Sequence, residues 1–166
     1  MAAIKGSDTK PELLIRKLLH QRGFRYRLHD RKLPGKPDLV FPRHQAVLFV
    51  NGCFWHGHDC SQFHWPKTRP EFWLDKISGN VRRDLRNEAT LGATGWRVGL
   101  IWECATEGPG RLSVGEVIDR AAVFLEASGK YVSIQGQPVD RFTEQTAGHD
   151  ASAGGRPLLR QTTCCE

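Results

Sequence analysis

The sequence predicts an α/β fold, a small mixed β-sheet flanked by helices, and three observations predict it. A capping box opens an amphipathic stretch before residue 20. Two short apolar runs stand on either side of a four-residue turn, Pro42–Gln45. Helical and extended patterns then alternate as far as residue 125, in the order helix, three strands, helix, strand, helix.

The elements follow in chain order. Thr9-Lys10-Pro11-Glu12 has capping-box spacing and opens a helix whose apolar stripe is Leu14, Ile15, Leu18 and Leu19. Gly23 stops it. Phe24 to His29 reads as a short strand, and Lys32 to Lys36, with Pro34 and Gly35, as a turn. Asp38 to Phe41 and Ala46 to Val50 are apolar enough for paired buried strands. Leu74, Ile77, Val81 and Leu85 mark one face of a second helix, which Gly79 interrupts at some cost. Trp96 to Trp102 reads as a strand ending at Glu103-Cys104, and Val114 to Leu125 as a last helix. The composition changes after Lys130. Residues 136 to 166 are rich in Gly, Gln, Thr and Ser without a sustained apolar period, so the expectation is one domain over 1–130 and a flexible tail over 131–166.

The 166 residues suffice for one domain with a real core. A net charge of +6 suits a polyanionic partner such as nucleic acid, although solvated surfaces are also often basic. No run of about 18 apolar residues is present, so nothing is expected to span a membrane, and the N-terminus lacks a signal-peptide core. The default location is cytoplasmic. In that compartment five cysteines argue for metal or catalysis before disulfides; the adjacent pair Cys164 and Cys165 reads as incidental.

The segment VNGCFWHGHDC concentrates the chemistry. Cys53, His58 and Cys60, joined by a distant Cys104, form a Cys3His set of the closed structural zinc type. The competing reading makes Cys53 and Cys104 small core residues and His58 a surface one. Asp38 opens one apolar strand and Val50 ends the next, so a hairpin brings the carboxylate near the Val50 backbone. A carboxylate beside a carbonyl is a seat for Mg2+, an ion that prefers oxygen ligands. His56, held by the metal loop, could serve as a general base.

LPGKPDLVF, VLFVNGCFWHGHDC, PKTRPEFWLDKI with NVRRD, and GWRVGLIWEC together closely resemble the very short patch repair (Vsr) endonucleases, in family order and spacing from Met1 to about Ala105, more loosely to about residue 128. The resemblance implies a PD-(D/E)xK nuclease fold with an added structural zinc. It implies a Mg2+-dependent enzyme that nicks double-stranded DNA 5′ to the thymine of a T:G mismatch, the lesion left when 5-methylcytosine deaminates. By motif position Asp38 is the metal-binding carboxylate, the Val50 carbonyl a further ligand, and His56 the histidine that activates water. Glu12 and Asp84 match acidic residues near the metal and its water. Cys53, His58, Cys60 and Cys104 match the zinc ligands. Phe54, Trp55 and Trp73 match aromatics that wedge into the DNA stack, where a mispaired step opens more cheaply than a matched one. The expected acting unit is a nucleoid-associated monomer working beside mismatch-repair proteins.

Two departures from the family pattern stand out. Asn51 replaces a second histidine, and an amide cannot carry a proton at neutral pH. Met1 falls on the family's groove-entering N-terminal arm with nothing before it, so weaker activity or a looser mismatch requirement is expected. Two further functions stay open: a zinc-stabilised DNA-binding module without catalysis, and a nuclease of the same fold with another specificity.

Overall fold

The computed structural model describes residues 8–139; Met1, the Cys164–Cys165 pair and the expected tail beyond residue 139 lie outside the described residues. Helix α1 spans Lys10–Gln21, and its capping box forms as the sequence predicts: Thr9 Oγ1 accepts from the Glu12 N–H at 3.4 Å and Glu12 Oε2 from the Thr9 N–H at 3.3 Å. Its inward stripe, however, is Glu12, Ile15, Arg16 and Leu19, while Leu14 is exposed. That set has the i, i+3, i+4, i+7 spacing of one helix face. An ion pair between Glu12 and Arg16 lets two charged groups hold it.

Among the described residues five strands form one sheet in the order β1-β2-β3-β4-β5: β1 Arg27–Leu28, β2 Leu39–Phe41, β3 Ala46–Asn51, β4 Arg97–Trp102 and β5 Tyr131–Ile134. The first three are antiparallel neighbours, and β3, β4 and β5 run parallel. β1 is only two residues long, not the six expected from Phe24 to His29, because Phe24 turns into the core and Arg25 is exposed. Tyr131–Ile134, which the sequence reading assigns to the tail, is the fifth strand. Its Ile134 is fully buried, so the folded unit passes the expected boundary at 130.

Helix α2 (Pro70–Ala93) links β3 to β4; the short α3 (Glu103–Thr106) and then α4 (Val114–Glu126) link β4 to β5. Leu39, Phe41, Ala46, Leu48 and Ile101 point to the face covered by α1 and α4. Val40, Val47, Val98, Leu100 and Trp102 point to the other, with Leu91 of α2. This alternation is the period of two that a sheet covered on both faces requires. A Cβ at Gly99 would collide with Leu48 and press on Phe124, so glycine there admits α4 to the sheet.

In α2 the buried residues are Ile77, Asn80, Val81 and Leu91, whereas Leu74 and Leu85, expected on that face, are half exposed. At about 100° per residue, Asp84 and Glu88 fall on the Ile77–Val81–Leu91 strip while Leu74 and Leu85 lie off it by roughly 60–80°. The strip thus carries two carboxylates toward the end of the sheet where β3 stops.

Candidate active site and metal centre

β3 and β4 pair in parallel and end level, Asn51 opposite Trp102. Two residues further along each chain stand Cys53 and Cys104, so strand register alone brings these cysteines side by side. The loop after β3 then folds His58 and Cys60 onto them, and the four ligand atoms lie within 4.8 Å of one another. Gly57 permits this: its φ is +59°, and a Cβ there would meet Ile77 Cγ2 at 2.9 Å. None of the three thiols is in a disulfide.

His58 Nδ1 sits 3.6 Å from the Sγ atoms of both Cys53 and Cys104. Its ring stacks on Trp102 at 4.0 Å between centroids. Its Nε2 lies 2.9 Å from Gln135 Oε1. An amide oxygen only accepts, so Nε2 carries the proton and the Nδ1 lone pair faces the sulfurs. The Gly136 N–H donates to Cys104 Sγ at 3.4 Å. A hydrogen bond from the Cys53 thiol draws the Cys104 thiol down to about 4, and His58 and the Gly136 N–H reinforce this. The same pairing, with burial, pushes Cys53 up, and burial pushes Cys60 up. Three thiols and an imidazole lone pair converge where only one negative charge is comfortable. That donor set fits a divalent soft or borderline cation.

Asp38, just before β2, turns its carboxylate toward β3, where Oδ2 accepts from the Val50 N–H at 2.7 Å. The contact expected with the Val50 backbone is therefore to its N–H. Burial raises the Asp38 pKa, against the Val50 hydrogen bond and the nearby His29, Arg16 and His56. A carboxylate whose charge burial disfavours is a site that gains from a hard cation. Beside it, His29 Nδ1 lies 3.8 Å from Asp38 Oδ1 and His29 Nε2 3.3 Å from Glu12 Oε1. Arg16 touches Glu12 and Asp8 and lies 2.7 Å from His29 Nε2.

His56 Nδ1 and Asp84 Oδ2 are 2.6 Å apart. With Asp84 Oδ2 accepting a hydrogen bond from the Nδ1–H, Nε2 keeps the lone pair, the arrangement of an oriented base. Asn51, only 7% exposed, ends β3 alongside. Phe54, Trp55 and Trp73 form one half-buried knot: Phe54 stands edge-on to Trp55 and to Trp73 at 5.2 Å each, and the indoles are 6.0 Å apart. Asn80 Nδ2 fixes this loop by donating to the Trp55 carbonyl at 2.9 Å. A cleft of about 680 Å³ joins the knot to Glu12, Asp38, Val50 and His56. Lys76 and Arg83 line it with positive charge.

Cys53, His58, Cys60 and Cys104 thus form the sulfur cluster; Glu12, Asp38, Val50, Phe54, Trp55 and His56 line the cleft, Trp73 packs behind its aromatic wall, and Asn51 and Asp84 stand beside His56 on the far side from it. The sequence reading misses His29, Arg16, Asn80, Gln135 and Glu103, whose Oε2 accepts from the Cys53 N–H at 3.2 Å. His29 precedes the Lys32–Lys36 turn in a pairing one could have extended, and it takes the left-handed φ of +46° that histidine tolerates better than most residues. Gln135 leaves no local signal, because only the β4–β5 register brings it to His58.

The family model described as DNA mismatch endonuclease Vsr matches residues 1–62. The Type II nicking enzyme V.XorIIP of Xanthomonas oryzae pv. oryzae is 49% identical over 112 residues, 68% of this chain and 82% of the relative. The Type II nicking enzyme V.NmeAIP of Neisseria meningitidis is 47% identical over 104 residues, 63% and 74% of the two chains. The DNA mismatch endonuclease Vsr of Escherichia coli K12 is 40% identical over 139 residues, 84% of this chain and 89% of that one.

Proposed function

This chain belongs to the Vsr family of DNA mismatch endonucleases, and from that premise we propose that it nicks duplex DNA 5′ to the thymine of a T:G mismatch by Mg2+-dependent hydrolysis. The observation that carries the reading is the cleft, in which a buried carboxylate, an oriented histidine and an aromatic knot stand side by side. Asp38 and the Val50 carbonyl would hold Mg2+, with Glu12 fixing the water around it. The ion, when bound, neutralises charge building on the phosphate and lowers the pKa of water. Asp84 keeps the His56 Nδ1 proton in place, and His56 Nε2 takes a proton from the attacking water. Lys76 and Arg83 draw in the phosphate backbone. Phe54, Trp55 and Trp73 enter the stack beside the mispair, where opening a base step costs least.

The Cys3His cluster would hold zinc, whose chemistry here is structural: it leaves no ligand position for substrate and pins the loop that presents Phe54, Trp55 and His56. The His56–Asp84 pair argues against a DNA-binding module without catalysis. It is a base already oriented, and Asn51 does not interrupt it.

The test is a strand-cleavage assay on end-labelled duplexes carrying T:G, the other mismatches, or T:A in varied sequence contexts, with and without Mg2+. A single cut 5′ to the mispaired thymine, only with the ion, is expected. Equal cutting of T:A would replace the mismatch reading with a nuclease of looser specificity. Tight binding without any cut would leave the module reading.

A further inference from the structure

His56 divides a longer trench. On one side lie the aromatic knot and the cleft already described; on the other is a recess of about 460 Å³ between α2 and the end of β3. Phe49 and Leu100 give it an apolar floor, and Asn51 and Asn87 line it with amides. We propose that this recess is a nucleotide subsite: it takes the nucleotide on the side of the scissile phosphate away from the mismatch, and Asn51 and Asn87 read the edge of its base. The inference rests on the nicking reading, which puts the scissile phosphate at Asp38 and His56.

Four observations carry it. First, Asn51 is only 7% exposed as a residue, its side chain lines this recess, and no described residue hydrogen-bonds its amide. An amide already held in place on the wall of a cleft pairs with a ligand at little cost in side-chain ordering. Second, an amide offers a donor and an acceptor together, the pattern that a base edge complements. Third, Asp84 and Glu88 line the same recess, so a phosphate is repelled from its floor while a neutral base is not. Lys36 and Arg83, also in the lining, supply the positive charge for the phosphates on either side of that base. Fourth, the mouth is kept open by Gly35, whose φ is +75°. A Cβ there would stand 3.0 Å from Asn87 Nδ2 and 3.2 Å from Phe49 Cε1, narrowing the gap between the amide and the ring.

The experiment uses the full chain and four T:G duplexes that differ only in the base pair 5′ to the expected cut. Equilibrium binding is measured without divalent ion, and nicking with Mg2+. The wild-type protein should spread the four affinities by roughly tenfold, the lower end of what a side-chain pair to a base edge discriminates. Asn87→Leu should compress that spread to about twofold in both measurements. Asn87 is half exposed on α2, so its thermal midpoint and sulfur-site metal content serve as controls for folding. Equal wild-type affinities for all four duplexes, or a spread that survives Asn87→Leu, would overturn the subsite. A spread that collapses in Asn87→Leu although no strand is cut would support the subsite and sink the nicking reaction instead.

Discussion

Replacing the Asp38 carboxylate with an amide keeps an oxygen for the Val50 N–H and removes the charge that burial penalises. An acid whose pKa is raised on folding contributes stability below its unfolded pKa and loses it as pH rises through the folded one. At neutral pH Asp38 is therefore a destabilising anion in the ion-free protein. Asp38→Asn should raise the melting temperature measured in chelator at pH 7 while lowering Mg2+-dependent nicking by about a thousandfold, the several kcal/mol that a catalytic ion supplies. A lower melting temperature would mean that the charge is already neutralised by its neighbours. The same sign governs ion binding by the wild-type protein. Protons compete with the ion for the Asp38 carboxylate, whose pKa burial raises, so Mg2+ affinity measured without DNA should weaken as pH falls toward the carboxylate range. An affinity that does not change with pH there would contradict the assignment. Asp38 was legible because strand ends and a Lys-Pro-Asp turn are local features. His29 and Arg16 were not, since nothing in a helix stripe announces that charged residues will fill it.

Helix α2 is the element on which most of the cleft depends, carrying Trp73, Lys76, Asn80, Arg83 and Asp84 along 24 residues. Gly79 sits within it with an ordinary helical backbone, and a Cβ added there meets nothing within 4 Å. Gly79→Ala should stabilise the protein by about 0.5–1 kcal/mol, seen as a rise of roughly 1–4 °C in melting temperature. No rise would mean that the helix is already frayed in the unliganded protein. The aromatic knot at the α2 N-terminus gives a second expectation. Trp55→Ala or Trp73→Ala should reduce the T:G to T:A cleavage ratio about tenfold, at the low end of base–aromatic stacking energies, and leave salt-dependent general affinity nearly unchanged. An unchanged ratio in both would make the indoles packing residues only. Periodicity located this helix but misjudged its inward face. Leu74 and Leu85 resemble core residues, and only the position of the sheet decides that Asp84 and Glu88 point inward instead.

For the molecule as a whole, β5 decides where the domain ends. Ile134 is fully buried, Trp102 Nε1 donates to Ser133 Oγ at 3.0 Å, and Gln135 and Gly136 both touch the sulfur cluster. A chain ending at residue 130 should therefore lose metal and cooperative unfolding together, whereas one ending at 139 should keep both; elemental analysis and thermal melts check this. Equal metal content and equal melts in the two would return the boundary to 130. Strands β2, β3 and β4 could be read from their apolar runs, because they are apolar on both faces; the order in which they pair was legible only for β2 and β3. β5 is only half apolar, with Tyr131 half exposed and Ser133 exposed, and its composition blends into the polar sequence after it.

The parallel pairing that sets Cys53 beside Cys104 also imposes a timetable on biosynthesis. The two cysteines are 51 residues apart, and Gln135 follows His58 by 77 residues. At ~5–20 residues per second, that is on the order of 3–10 s with only Cys53, His58 and Cys60 made, and a further several seconds before the imidazole is oriented. A nascent chain can hold an ion only loosely with three ligands on an unpaired loop. The tight site arises when β4 docks on β3 and matures when β5 docks on β4. An ion taken up by this cluster would thus wait for nearly complete synthesis of the sheet, and the loop that carries His56 and the aromatic knot would set last.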